Sequence, residues 1–184
     1  SFDSLSESWN EFLHNKKLPI FTTILHNKDE MNAYLKEVIF EHRNNNPKSN
    51  ESNVKAWHSN YGTHNDNPKF KPIIDLTLNF CKFASKEFFS CEVEFICFNF
   101  WAMMYERGDY TKRHSHFPSD FAAVYYVDVE PGCAPIVFED ELKVYPESGM
   151  LVVFPAWLHH EVPKTDARRI AVSMNIDKRY VTEQ

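Results

Sequence analysis

The chain has 184 residues, 43% of them apolar and 15% aromatic, with sixteen Phe against four Gly. That is enough for one sizeable core, so a single domain is the simplest organisation, and an aromatic-rich, glycine-poor composition suits a β-rich core with a few packed helices. A formal net charge of −6 argues against nucleic-acid binding, with Lys112-Arg113 as a local basic exception. No run of about 18 apolar residues offers a membrane span, and the start of the chain is not signal-like, so the expected location is the cytoplasm.

Residues 1–25 mix helical and extended signals, and Leu18–Leu25 (LPIFTTIL) reads as extended. From 28 to 43, Met31, Tyr34, Leu35, Val38 and Ile39 recur with a period of 3.6, which predicts a helix. Asn44–Asn53 is a polar loop, Val54–Trp57 a short strand and Gly62–Pro68 a second loop. Residues 69–89 predict another long helix, with Pro72 in its first turn and Ile74, Leu78, Cys81 and Phe88 on one stripe.

From Cys91 the pattern changes to short apolar runs: Val93–Tyr105, Phe121–Asp128, Ile136–Phe138, Met150–Phe154 and Arg169–Ile176. Turn signals separate them at 106–109, 130–132, 146–149 and 164–166. The expected fold is mainly β with flanking helices, a sandwich or jelly roll with the two long helices packed on one sheet. Within one domain spanning 1–184, residues 1–90 read as a helical and extended support region and 91–178 as the jelly-roll core. Cysteines 81, 91, 97 and 133 include no Cys-x-x-Cys and have apolar neighbours, which suits reduced thiols in an intracellular protein.

The chemistry concentrates in His114-Ser115-His116, His160 and Arg169. On extended backbone, residues two apart project to one face, whereas on a helix they would diverge by about 200°. Two such imidazoles and a distant third make a facial cup for a divalent transition metal. His-x-His is common, however, and by spacing alone a pair of surface histidines beside a loop is the stronger reading. In His159-His160 only one side chain can join the cup, because neighbours on a strand face opposite ways. In the segment RIAVSMNI, Arg169, Ala171 and Ser173 share a side, so an inward Arg169 among small residues would make a pocket for an acid. Taken alone, an exposed arginine in a surface ion pair is the stronger reading, and Arg168 reads that way.

Taken together and in order, these pieces resemble the Fe(II)- and 2-oxoglutarate-dependent oxygenases. The resemblance runs through Tyr105-x-x-Gly108-x-Tyr110-x-x-x-His114-x-His116, Val124-Tyr125-Tyr126-Val127-Asp128, Gly149 to Phe154-Pro155, His160-x-Val162-Pro163 and Arg169-Ile-Ala-Val-Ser173-Met-Asn175. It covers residues 97–176, extends weakly to Trp57-His58-Ser59, and is nearest to a group of small oxygenases of bacteria and phages. It implies a double-stranded β-helix with Fe(II) as metal and 2-oxoglutarate as cosubstrate. His114 and His160 would ligate the iron, and Arg169 would pair with the distal carboxylate of 2-oxoglutarate. Tyr126 and Ser173 would hydrogen-bond that carboxylate, Tyr105 would reach the oxalyl end, and Asn99 and Trp101 would line the pocket.

One departure matters. Most of the superfamily has Asp or Glu two residues after the first histidine, and this chain has His116. Either His116 is the third ligand, or Asp120 swings in from the next loop, or the position is left for another ligand; the relation of His116 to His114 favours the first. A neutral ligand set leaves about one more positive charge on the site than a carboxylate set would, which favours anion binding. The implied activity is oxidation of a C–H bond of a small-molecule or peptide substrate, releasing succinate and CO2. Two rivals stand beside it: a three-histidine cupin dioxygenase that does not use 2-oxoglutarate, and a non-catalytic jelly-roll module that binds a metal or a carboxylate. Nothing indicates a nucleic-acid or membrane partner, and a homodimer through edge strands stays open.

Overall fold

The structure is a computed structural model that describes residues 13–14, 18–50 and 52–179. The mixed signals read over residues 1–25 therefore lie largely outside the described residues. Strands β1 (Leu13–His14) and β2 (Phe21–Ile24) precede helix α1 (Lys28–Asn45). Short strands β3 (Val54–Lys55) and β4 (Trp57–His58), a single-turn helix α2 (Thr63–Asp66) and a 3-10 turn at Pro68–Phe70 lead into helix α3 (Lys71–Phe89). There follow β5 (Glu94–Tyr105), β6 (Tyr110–His114), β7 (Phe121–Val129), β8 (Ile136–Phe138), β9 (Leu142–Val144), β10 (Met150–Pro155), β11 (His160–Val162) and β12 (Arg169–Arg179).

The strands make two sheets. One is seven-stranded in the order β1-β2-β10-β7-β12-β5-β4, and the other five-stranded in the order β3-β6-β11-β8-β9. Strands from both halves of the chain share them: β2 pairs with β10, β4 with β5 and β3 with β6. The first 90 residues therefore supply strands to both sheets as well as the helices.

The strand period of two divides the large sheet between two cores. Phe100, Ala102, Tyr125, Val153, Val172 and Met174 face the helices and pack with Met31, Leu35 and Ile39 of α1 and Ile73, Leu76 and Phe80 of α3. Their alternate neighbours Trp101, Met103, Tyr105, Tyr126, Phe154 and Ala171 face the small sheet and pack with Ile136, Phe138 and Val162. The layers are helices, large sheet, small sheet, and the second core is where the site lies. A buried hydrogen bond from the Tyr125 hydroxyl to the Asn32 carbonyl oxygen ties α1 to the large sheet and satisfies both polar groups.

The sequence sets several element ends. Pro72 lies in the first turn of α3, which stops at Ser90 in the left-handed region, φ 50°. The apolar face of α3 centres on Ile73, Leu76, Phe80 and Ala84. Phe88, expected on its stripe, is 40% exposed and packs one ring face on Phe21 at the edge of the core. The Gly62–Pro68 segment, read as loop, contains α2. Gly149 has φ +88°, and a Cβ there would come within 2.6 Å of the Lys28 Cβ, so glycine lets the turn before β10 close against the start of α1. Among the described residues no helix is long and apolar enough to cross a membrane.

Candidate metal centre

Strands β6 and β11 run antiparallel with His114 directly opposite His160. Opposed residues hold their Cβ atoms about 5 Å apart, and the two imidazole centroids are 4.4 Å apart. His116 lies two residues beyond the end of β6, where its backbone N–H donates to the Ala156 carbonyl at 2.8 Å. Its ring comes 4.9 Å from each of the other two. One ring nitrogen from each histidine falls within 4.8 Å of the others.

Backbone carbonyls orient the rings. Nδ1 of His114 lies 2.7 Å from the Lys112 carbonyl, and Nδ1 of His160 lies 3.3 Å from that of Leu158. Each Nδ1–H donates to its carbonyl, which leaves the Nε2 lone pair turned to the shared centre. Nε2 of His116 sits 3.1 Å from Nε2 of His160. Three converging imidazole nitrogens fit a divalent transition metal of the Fe, Zn, Cu or Ni type.

Burial keeps the cluster neutral. It lowers the pKa of His116 to about 3, with the neighbouring His114 adding to the effect. His160 is held well below the ordinary histidine value by burial and then by His116 and His114, and His114 is lowered by burial first. Ligand lone pairs are therefore available at neutral pH without proton release. For His116 the folded pKa is depressed, so its contribution to the metal-free protein is present above the unfolded value of about 6.5 and is lost as pH falls towards 3. The expected result is that the stability difference between wild type and His116→Gln, read from urea denaturation without metal, moves against the wild type as pH drops from 7 to 4. A difference that stays flat would contradict the neutral cluster.

Arg169, Tyr105, Tyr126 and Ser173 line one recess with all three histidines. The recess has a volume of about 40 Å³ and opens beside a cleft of about 590 Å³. Arg169 is 3% exposed. One of its terminal nitrogens donates to the Ala134 carbonyl at 3.0 Å, and its guanidinium lies 4.3 Å from the Tyr105 ring and 5.7 Å from that of Tyr126. Its Nε is buried without a partner, and no carboxylate pairs with it among the described residues. A buried cation without a counter-ion is costly, so the recess is electrostatically prepared for an anion. Arg168, by contrast, is exposed and bonded to Glu106 at 2.6 Å.

The remaining residues singled out from the sequence lie as follows. Tyr105 sits at the arginine end, opposite Arg169 and with its ring against the guanidinium, and its hydroxyl shares a hydrogen bond with Thr111 Oγ1. The Tyr126 hydroxyl is pushed up to about 12 by burial, against an opposing pull from Arg169. Asn99 lines the outer cleft rather than the recess and accepts a hydrogen bond from Asn175 Nδ2 at 3.0 Å. Asp120 is turned away: its carboxylate accepts from the Lys178 backbone N–H at 2.7 Å and stands 3.9 Å from the Lys178 ammonium. His159 is on the outer side, 3.5 Å from Glu139. Arg113 pairs with Glu139 and Asp140. All four cysteines are free, and burial raises the Cys97 thiol to about 12.

Sequence reasoning gave no role to Thr111, which fixes Tyr105, or to Asn175, whose amide faces His116 and partly opposes the lowering of its pKa by burial. Thr111 lies one residue after Tyr110 on a strand whose exposed Lys and Arg hide the alternation. Asn175 shares the inward side of β12 with Arg169 and Ser173, and that period-two signal was available.

No family model matches the sequence, and no curated protein matches it. Solved structures do. A prolyl-4-hydroxylase of Pseudomonas putida superposes with a TM-score of 0.60 at 16% identity, over 97% of each chain. A prolyl hydroxylase of Trichoplax adhaerens, in complex with a peptide fragment of the hypoxia inducible factor oxygen degradation domain, gives 0.62 at 14% identity, over 94% of this chain and 84% of that one. SnoN, a non-heme α-ketoglutarate-dependent epimerase of nogalamycin biosynthesis, gives 0.60 at 13% identity, over 78% and 72%. The chain has the fold of the 2-oxoglutarate oxygenases. Within that oxygenase fold, the three-histidine cluster and the buried Arg169 share a recess between the two sheets.

Proposed function

We propose that the chain is an Fe(II)- and 2-oxoglutarate-dependent dioxygenase, a single jelly-roll domain that hydroxylates a C–H bond of a peptide or small-molecule substrate. The observation that carries this reading is the buried guanidinium of Arg169, with no counter-ion among the described residues, lining the same recess as three converging imidazoles. In this reading His114, His116 and His160 hold the metal, and Arg169 pairs with the distal carboxylate of 2-oxoglutarate. The Tyr126 and Ser173 hydroxyls donate to the same carboxylate. Tyr105, fixed by Thr111, presents its ring to the guanidinium and keeps it aimed inward.

Bound Fe(II) would supply O2 activation coupled to decarboxylation of the 2-oxo acid to succinate and CO2. The chain's own part is binding, orientation and exclusion of water. Phe138 and Phe154, both fully buried, pack their rings on His160 and close the inner side. Met103 lines the recess, and its flexible thioether gives way to a ligand larger than the free volume. The neutral histidine set strengthens the hold on a dianion. The outer cleft, with Phe98 and Phe117 exposed at 61% and 77%, suits a substrate of peptide size.

The test is succinate release. Protein loaded with Fe(II) under argon and then given 2-oxoglutarate and air should form succinate in step with O2 uptake, even slowly and without primary substrate. A three-histidine dioxygenase of the other type would take up O2 in the presence of its substrate and form no succinate. A binding module would do neither.

A further inference from the structure

Buried donors without an acceptor are rare in folded proteins, and each needs an explanation. Two of them belong to residues that line the recess: Arg169 Nε and the indole Nε1 of Trp101. Trp101 is 3% exposed, and its ring is a wall common to the inner recess and the outer cleft. It lies 5.8 Å from the His116 ring and stacks on His58 at 5.6 Å and 11°. His58 is itself fixed by a hydrogen bond to the Ser59 carbonyl, and burial lowers its pKa, so a neutral ring holds the indole in place.

The strand register sets where this donor acts. Trp101 stands opposite Ser173, and Tyr105 stands opposite Arg169. Four residues along one strand face span about 13 Å. The arginine side chain covers part of that length, and a five-carbon diacid covers the remainder. The arginine end already has its guanidinium, and the Tyr105 hydroxyl there is committed to Thr111. The histidine end has Trp101.

We propose that the Trp101 indole N–H donates to the carboxylate of the 2-oxo acid that lies beside the histidines, making Trp101 a cosubstrate-binding residue that sets the position of the diacid along the recess. This rests on the 2-oxoglutarate reading above. Phenylalanine keeps the packing on His58 and removes the donor.

The experiment uses Zn(II)-loaded protein, so that no turnover occurs, with 2-oxoglutarate as the probe. Calorimetry should show W101F binding it at least roughly tenfold more weakly than wild type, the range for losing a hydrogen bond to a charged group. In the wild-type protein the Trp101 indole N–H resonance, assigned by Overhauser contacts to the His58 and His116 rings, should move downfield on titration; this readout does not depend on the variant folding. If the indole resonance stays still and W101F binds as wild type does, while Arg169→Gln loses binding, Trp101 only packs and the proposal is overturned with the 2-oxoglutarate reading intact. If wild type itself does not bind 2-oxoglutarate, both fall.

Discussion

Arg169→Ala should keep one metal ion per chain and lose 2-oxoglutarate affinity by about 100-fold or more. Truncating one partner of a buried, hydrogen-bonded charge pair costs about 2–5 kcal/mol, and 2.7 kcal/mol is already about 100-fold. The loss falls on the diacid rather than the metal, because the hydrogen bond that the guanidinium makes among the described residues goes to the Ala134 carbonyl and not to a histidine. The fold should survive: the variant loses a ring contact with Tyr105 but also removes a buried cation that has no counter-ion among the described residues. Calorimetry on the Zn(II) form measures the affinity, and elemental analysis measures the metal. Unchanged affinity for 2-oxoglutarate would remove the anchor from this account.

His114→Ala and His160→Ala should each abolish stoichiometric metal, whereas Asp120→Ala should leave it intact. A facial site with one of three imidazoles removed loses most of its binding free energy, and a water cannot supply the lost orientation. His116→Ala belongs with the first group, since its Nε2 stands 3.1 Å from that of His160. Asp120 belongs with neither, because its carboxylate is bonded to the backbone N–H of Lys178 at the far end of β12. Metal content after dialysis against micromolar Fe(II) under argon decides this. Loss of iron in Asp120→Ala with retention in His116→Ala would reverse the assignment of the third ligand.

What could be read in the sequence follows the range of the forces involved. The helix at 28–45 announces itself through local periodicity, because it buries one face along its length, and the long strands β7 and β12, buried on both faces, announce themselves as continuous apolar runs. Strand β6 has only Thr111 buried, followed by exposed Lys112 and Arg113, and β9 is three residues on a sheet edge, so neither carries a readable pattern. Within the site, His114-x-His116 and the alternation of Arg169, Ala171 and Ser173 are local and legible. That His160 faces His114 depends on pairing strands separated by 46 residues, and no single-sequence pattern encodes that register. The same is true of the pairing of Tyr105 with Arg169, which sets which end of the recess the tyrosine serves. The resemblance already puts Trp101 at the pocket wall, and only the surroundings of its indole nitrogen suggest a hydrogen-bonding role for it.

The most direct measurement is an anaerobic crystal structure with Fe(II) and 2-oxoglutarate, recorded at the iron absorption edge. The account predicts one anomalous peak within bonding distance of Nε2 of His114, His116 and His160, with the distal carboxylate of the diacid on the guanidinium of Arg169. Iron held by Asp120 in place of His116, or the guanidinium of Arg169 turned out to bulk water, would contradict it.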